Sequence, residues 1–187
     1  MRNTSDNEKS IGKLFREASA GEREAFEKLY AEFYTPLYRY MYFRLKNRSD
    51  ALDLTQTVFF KFWKNIGSYK EAGTPSAFLY TIARNTLIDF FRTKKHDAIP
   101  SDELVAKQDE ATVPELPRDD SFAEEIRNSL LILGDSEREI ITLRFMSELS
   151  NAEISTITGK TEPAIRQIQS RALRALREHL KNKKLFE

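Results

Sequence analysis

Residues 51–95, ALDLTQTVFFKFWKNIGSYKEAGTPSAFLYTIARNTLIDFFRTKK, read as two helices carrying more aromatic and basic side chains than one small core buries. In the first, Leu52, Val58, Phe59, Phe62, Trp63 and Ile66 recur at mixed three- and four-residue steps and make a broad apolar stripe. Ser49 and Asp50 are its candidate N-caps, and Gly67 follows Ile66 as a stop. Asp53, Gln56, Thr57, Lys61 and Lys64 fall mainly on the remaining face, which is either solvated surface or a docking face for a larger partner.

The second helix begins at Thr74-Pro75, a capping residue followed by a proline suited to the first turn. Phe78, Leu79, Ile82, Ala83, Ile88 and Phe91 form its inward face. Around them stand Tyr80, Arg84, Asn85, Arg92, Lys94 and Lys95, with Ser68, Tyr69 and Lys70 in the preceding loop. Rings stack on unpaired bases and cations neutralise phosphates, so this mixture suits single-stranded or melted nucleic acid. A helix that buries its rings and solvates its charges is the plainer alternative.

Further along, Ser121-x-x-Glu124, Ser136-x-x-Glu139 and Ser150-x-x-Glu153 have the capping-box spacing, which places helix starts near 122, 136 and 151. The third of these helices is short and runs into Thr158-Gly159-Lys160, after which a new helix starts at Thr161 with Pro163 in its first turn. Helix, glycine turn, helix is the helix-turn-helix plan, with Ile154, Ile157, Ile165 and Ile168 where the two helices cross. Its second helix turns Thr161, Glu162, Ala164, Arg166, Gln167, Ser170 and Arg171 outward. Arg166 and Gln167 are the candidates for reading base edges in the major groove, because Arg and Gln bond guanine and adenine in pairs. Arg171 and Arg174, a turn or more later, are placed for phosphates.

The flanking segments fix the domain plan. Ala25, Phe26, Leu29, Tyr30, Phe33, Leu37, Tyr38, Met41 and Leu45 fit one or two amphipathic helices, with a kink or break expected at Pro36 and a loose tail over residues 1–10. Between Asp97 and Ser121 eight acids stand against Lys107 and Arg118, a net −6, and Pro100, Pro114 and Pro117 interrupt any helical period. From Lys160 to Glu187 eight bases stand against three acids, a net +5. The overall net charge of +1 therefore conceals a segregation of sign by segment. The expected architecture is all-α: a tail and helix start over 1–21, a first helical domain over 22–96, a flexible acidic linker over 97–120 and a helix-turn-helix domain over 121–187. Asp119 and Asp120 are further expected to hold a closed form by facing the Arg171–Lys184 surface. A chain without Cys has no disulfide or thiolate site, and His96 and His179 make a poor ligand set, so no metal or cofactor is expected. The polar start and the lack of a long apolar run point to a cytoplasmic chain without membrane insertion.

The run DLTQTVFFKFW at 53–63, followed by FLYTIARNTLIDFFRTKK at 78–95, resembles region 2 of bacterial sigma factors, the compact extracytoplasmic-function (ECF) group of the sigma-70 family in particular. The segment SEREIITLRF…LSNAEISTITGKTEPAIRQIQSRALRALREHL resembles region 4 of the same family, so the likeness covers roughly residues 22–96 and 121–180. The chain departs from the family pattern at Phe78, where a tryptophan is usual, at Leu133-Gly134, where Leu-Pro is usual, and at Lys160 and Pro163 in and after the turn. The resemblance implies a transcription initiation factor. Asp53, Gln56, Thr57, Lys61 and Lys64 would bind core RNA polymerase. Ser68, Tyr69, Lys70, Tyr80, Arg84, Asn85, Arg92, Lys94 and Lys95 would bind and open minus-ten promoter DNA. The helix from Thr161 would read the minus-thirty-five element, and an anti-sigma factor is an expected partner.

Two alternatives remain at this point. An autonomous helix-turn-helix regulator explains residues 121–180 and leaves 51–95 without a purpose. A nucleic-acid enzyme lacks support, since there is no metal-ligand cluster, glycine-rich phosphate loop or nucleophile–base pair in the sequence.

Overall fold

The computed structural model describes residues 4–45, 47–69, 74–96 and 121–182. These form α1 (Thr4–Ser19), α2 (Arg23–Arg44), α3 (Arg48–Asn65), α4 (Pro75–His96), α5 (Ser121–Leu130), α6 (Asp135–Ile141), α7 (Asn151–Thr158) and α8 (Glu162–Asn182). A 3₁₀ turn, Ile66–Ser68, closes α3, and a π-helical stretch, Thr142–Met146, extends α6. The architecture is all-α, with no strand among the described residues. The 97–120 segment, with Asp119 and Asp120, lies outside them, as do Lys70 and the side chain of Lys95.

Several local expectations are corrected by packing. The N-terminal stretch is helical from Thr4, not a tail to residue 10, because Ile11, Phe15 and Ala18 share one buried face. Phe15 sits among the rings of Phe33, Phe62, Tyr69 and Phe78 at 5.1–6.5 Å. Pro36 neither ends nor splits α2, which runs unbroken to Arg44. Proline removes one helical hydrogen bond, but Phe33, Tyr34, Leu37, Tyr38, Tyr40 and Met41 are all buried around it. At about 1.5–3 kcal/mol for each large side chain, their burial outweighs that loss.

Helix starts follow their caps. Asn47, not Ser49 or Asp50, caps α3 by accepting from the Ser49 amide at 2.8 Å, while Asp50 turns to the Lys94 ammonium at 2.7 Å. Thr74 caps α4 as expected, its hydroxyl accepting from the Ala77 amide at 3.2 Å. Ser150 and Glu153 form a reciprocal box at α7. The Ser136-x-x-Glu139 pattern does not: α6 starts earlier, at Gly134, whose amide donates to Glu137 at 3.3 Å. Glu139 is thereby free for another use.

The helices α1–α4 pack around Phe15, Leu29, Phe33, Phe62 and Leu79. The same apolar cluster continues through Tyr40 and Tyr80 into Ile140, Leu143, Ile154, Ile157 and Ile165 of the C-terminal half. A second cluster forms where Phe43 of α2 enters between Leu130, Leu133, Ile141 and Ala172. Polar contacts follow this seam: Arg44 donates to the Asp135 carbonyl at 2.9 Å, and the Arg127 guanidinium lies 5.2 Å from the Tyr42 ring centre. α7 rests on α4 along the same seam.

Candidate polymerase and nucleic-acid interface

Three exposed faces are available, on α3, α4 and α8. On α3, Asp53, Gln56 and Lys64 are exposed, and Thr57 is half-buried with its hydroxyl donated to the Asp53 carbonyl at 2.8 Å. Lys61 turns sideways toward Asp89 of α4 at 4.0 Å. The sequence reading missed the large apolar members of this face. Phe60 is 59% exposed with the Lys64 ammonium 4.2 Å from its ring centre. Trp63, expected in the core, is 44% exposed and meets Phe26 edge-on at 4.7 Å. The available signal was register: Asp53, Gln56, Phe60 and Lys64 step by three and four along one side of the helix. Aromatic rings rimmed by polar groups are typical of protein-binding surfaces.

On α4 the expected nucleic-acid set divides. Asn85 and Arg92 are exposed, with Arg92 3.4 Å from Asp89. Ile88 and Phe91, expected inward, are exposed beside them. Lys94 is exposed while holding Asp50, and its ammonium lies 4.7 Å from the Phe90 ring centre. Ser68 is exposed, and Tyr69 is half-buried against Phe15 and Phe78. Tyr80 is the correction: it is 1% exposed, wedged edge-on to Tyr40 with ring centres 5.6 Å apart. Arg84 next to it donates to Glu139 of α6 at 3.0 Å.

Burial sets the electrostatics of this inner cluster. It pushes the Tyr40 phenol well above its ordinary value, with Glu139 acting in the same direction and Arg44 and Arg84 against it. The Tyr80 phenol is pushed up chiefly by burial as well, while Ser147 favours the ionised form. Even so, neither the Tyr80 nor the Ser147 hydroxyl completes a well-formed hydrogen bond among the described residues, and the Tyr40 hydroxyl has none.

On α8 the outward and inward faces alternate as expected. Ile165, Ile168 and Ala172 are buried, and Thr161, Arg166, Gln167, Ser170, Arg171 and Arg174 are exposed. Glu162 and Ala164 are half-buried, and Glu162 holds Arg166 at 3.3 Å. The angle between α7 and α8 is fixed locally. Gly159 takes the left-handed conformation, φ 70°, and its amide bonds the Ser155 carbonyl at 2.8 Å. The Ser155 hydroxyl donates to the Lys160 carbonyl at 2.6 Å, and Gln169 donates to Asn151 at 2.9 Å across the pair.

Among the described residues no group of His, Asp and Glu is placed to hold a metal ion, and no helix is long and apolar enough to cross a membrane.

Comparison with known proteins agrees with this geometry. Residues 29–96 match the family model for Sigma-70 region 2, and residues 130–178 match that for Sigma-70, region 4. The chain is 35% identical over 170 residues to the ECF RNA polymerase sigma factor BldN of Streptomyces coelicolor, an alignment taking in 87% of this chain and 63% of that protein. It is 31% identical over 181 residues to the ECF RNA polymerase sigma factor ShbA of Streptomyces griseus, covering 89% of this chain and 93% of the relative. The fold also matches that of the sigma factor RpoE, solved in complex with the anti-sigma factor NepR from Bartonella quintana. The TM-score is 0.66 at 23% identity, over 83% of this chain and 96% of that one. The protein belongs to the ECF group of the sigma-70 family of RNA polymerase sigma factors.

Proposed function

We propose that this chain binds core RNA polymerase and directs it to promoters whose minus-ten and minus-thirty-five elements it recognises itself. The observation that carries the reading is the order of exposed faces on one chain: a polar–aromatic face on α3, a cationic end on α4, and an Arg/Gln face on a helix-turn-helix helix, inside matched region 2 and region 4 segments. In this reading the α3 face, Asp53, Gln56, Phe60 and Lys64, docks on polymerase. The loop from Ser68 and the α4 residues Arg84, Asn85, Arg92 and Lys94 hold the minus-ten strand. Opening that duplex costs a few kcal/mol of unstacking, which base–aromatic stacking and phosphate neutralisation offset. Arg166 and Gln167 read the upstream element from the major groove, with Arg171 and Arg174 on phosphates. The chain is not itself an enzyme, since polymerase performs the chemistry, and it acts in the cytoplasm where polymerase works. An anti-sigma protein that covers these faces is the regulatory partner; the RpoE of the matched structure is in complex with an anti-sigma factor, NepR.

The test is transcription in vitro with core polymerase on a pool of promoter fragments. The intact chain is compared with Asp53→Ala/Gln56→Ala and with Arg166→Ala/Gln167→Ala. Specific initiation by the intact chain, lost with polymerase binding in the first pair and lost without it in the second, is the expected result. Tight duplex binding with no initiation and no binding to core would instead support an autonomous helix-turn-helix regulator.

A further inference from the structure

The start of α8 carries an acid where the rest of its outward face is basic or neutral. Glu162 is the single acid among residues 160–177, which include Lys160, Arg166, Arg171, Arg174 and Arg177. It stands in the first turn, the part of such a helix that enters the major groove. A carboxylate there repels phosphates, although the helix dipole favours it. Capping does not employ it, because the Thr161 hydroxyl accepts from the Ala164 amide at 3.4 Å. The carboxylate turns instead to Arg166, one turn along the same side, with Oε2 3.3 Å from Nη1. Behind the pair the helix is held still. Ile165 and Ile168 are buried, and Gln169 donates to Asn151 of α7 at 2.9 Å. The two charged head groups therefore approach DNA as a unit.

Their chemistry is complementary. A guanidinium only donates and an ionised carboxylate only accepts. In the major groove guanine shows two acceptors, O6 and N7, cytosine shows the N4 amino donor, and thymine shows the O4 acceptor beside its methyl. Arg166 meets Glu162 through Nη1 and has further N–H groups for a guanine, while Glu162 meets Arg166 through Oε2 and can accept from a cytosine amino group through Oε1. Head groups this close span no more than about one base-pair rise of 3.4 Å, so the two bases belong to one pair or to neighbouring pairs.

We infer, resting on the role proposed for α8 above, that Glu162 and Arg166 form one reading unit. Glu162 orients the Arg166 guanidinium onto a guanine and itself accepts from the cytosine amino group beside it, so the upstream element holds a guanine and a cytosine at this contact. A guanine or thymine edge in the cytosine position turns an acceptor toward the carboxylate and is rejected. Glu162 is thus a positioning residue for Arg166 and a specificity determinant in its own right. An ordinary surface pair at this spacing would leave base preference untouched.

The test is transcription in vitro by core polymerase and the full chain on barcoded promoter fragments with a randomised upstream element, the barcodes being counted in the transcripts. Glu162→Gln, Glu162→Ala and Arg166→Ala are compared with the intact chain, and circular dichroism checks that each keeps the parental helicity. The intact chain is expected to enrich a guanine together with a cytosine in the same or the adjoining pair. Glu162→Gln should keep the guanine and lose about tenfold in discrimination at the cytosine, because an amide both donates and accepts. Glu162→Ala should lose the cytosine preference and weaken the guanine preference as well, since nothing then orients the guanidinium. Arg166→Ala should lose the guanine. If Glu162→Ala loses helicity, Glu162→Gln decides alone. Preferences as sharp in the Glu162 variants as in the intact chain overturn the reading unit, and so does an A·T pair enriched by the intact chain at the position that responds to Arg166→Ala. Failure of the underlying role of α8 looks different: the intact chain would enrich no upstream sequence, or Arg166→Ala would enrich the same element as the intact chain, and the reading unit would fall with it.

Discussion

The hydroxyl of Thr74 donates to the carboxylate of Glu153 at 2.9 Å, 79 positions away, and so joins the caps of two helices in different halves of the chain. Thr74 also accepts from the Ala77 amide at the start of α4, while the second oxygen of Glu153 accepts from the Ser150 amide and hydroxyl at the start of α7. One carboxylate therefore secures a local cap and a distant neighbour. Glu153→Ala is expected to cost about 2 kcal/mol, a lost cap plus a partly buried hydrogen bond. Urea unfolding followed by circular dichroism measures it, and a change under about 0.5 kcal/mol, the size of an ordinary surface substitution, would refute the joint role.

Phe60 is a surface residue in the free chain, with the Lys64 ammonium over its ring. Truncating it to alanine should leave the melting midpoint nearly unchanged, within the range of about 0.5 kcal/mol seen for exposed sites. Affinity for core polymerase, measured by competition against the intact chain, should fall about tenfold or more, as for an aromatic at the centre of an interface. Equal binding by Phe60→Ala would remove the α3 face from the interface.

Base reading and phosphate holding on α8 separate in their salt response. Arg166→Ala is expected to cost about 1–3 kcal/mol on a preferred upstream sequence and to flatten discrimination at one position. Arg171→Ala and Arg174→Ala should weaken binding alike on all duplexes and each lower the slope of log affinity against log salt by about 1. Fluorescence anisotropy across a salt series distinguishes the two patterns, and a sequence-dependent effect at Arg171 would reverse the assignment.

The parts of this fold that the sequence announced are those written within a few residues. Thr74-Pro75, Ser150-x-x-Glu153 and Gly159 specify backbone geometry over three to five positions, and all three are found in those roles. The seam was not legible, because its partners are distant in sequence: Arg84 meets Glu139, 55 positions on. Glu139 looked like a cap for Ser136 until the helix started earlier at Gly134 and Glu137 took that position. Tyr80 was read as outward because it stands among cations and amides on α4, whereas its ring is covered edge-on by Tyr40 of α2, a contact 40 positions distant. Trp63, Ile88 and Phe91 show the opposite error, since a broad apolar stripe does not reveal how much of it the neighbours reach.

Gly159 is the turn residue whose replacement isolates backbone strain. Its φ is 70°, and a Cβ added there meets nothing within 4 Å, so no clash accompanies the substitution. Gly159→Ala should therefore cost about 1–2 kcal/mol, the left-handed penalty of an L-residue. Gly159→Asn should cost less, because asparagine tolerates this region. Thermal melts of the three chains give the order, and an alanine variant as stable as the parent would mean that the α7–α8 turn relaxes to another conformation.

The buried tyrosines give the fold an alkaline limit. Burial pushes Tyr34 up from its ordinary value near 10 to about 12, with Tyr30 and Tyr38 adding to the shift. Tyr40 and Tyr80 are raised by burial too. A raised phenol means that the native chain keeps a proton that the unfolded chain releases, so stability falls with rising pH once the unfolded value is passed. The contribution is fully present below pH 10 and is lost on the way to about 12. Of the seven tyrosines, Tyr34, Tyr40 and Tyr80 should ionise in one cooperative step together with the loss of helical circular dichroism. Tyrosinate absorbance and ellipticity recorded in the same titration test this. Complete ionisation with the helices still folded would show that the phenols at the seam reach solvent without unfolding, and would leave the closed arrangement as a loosely associated one.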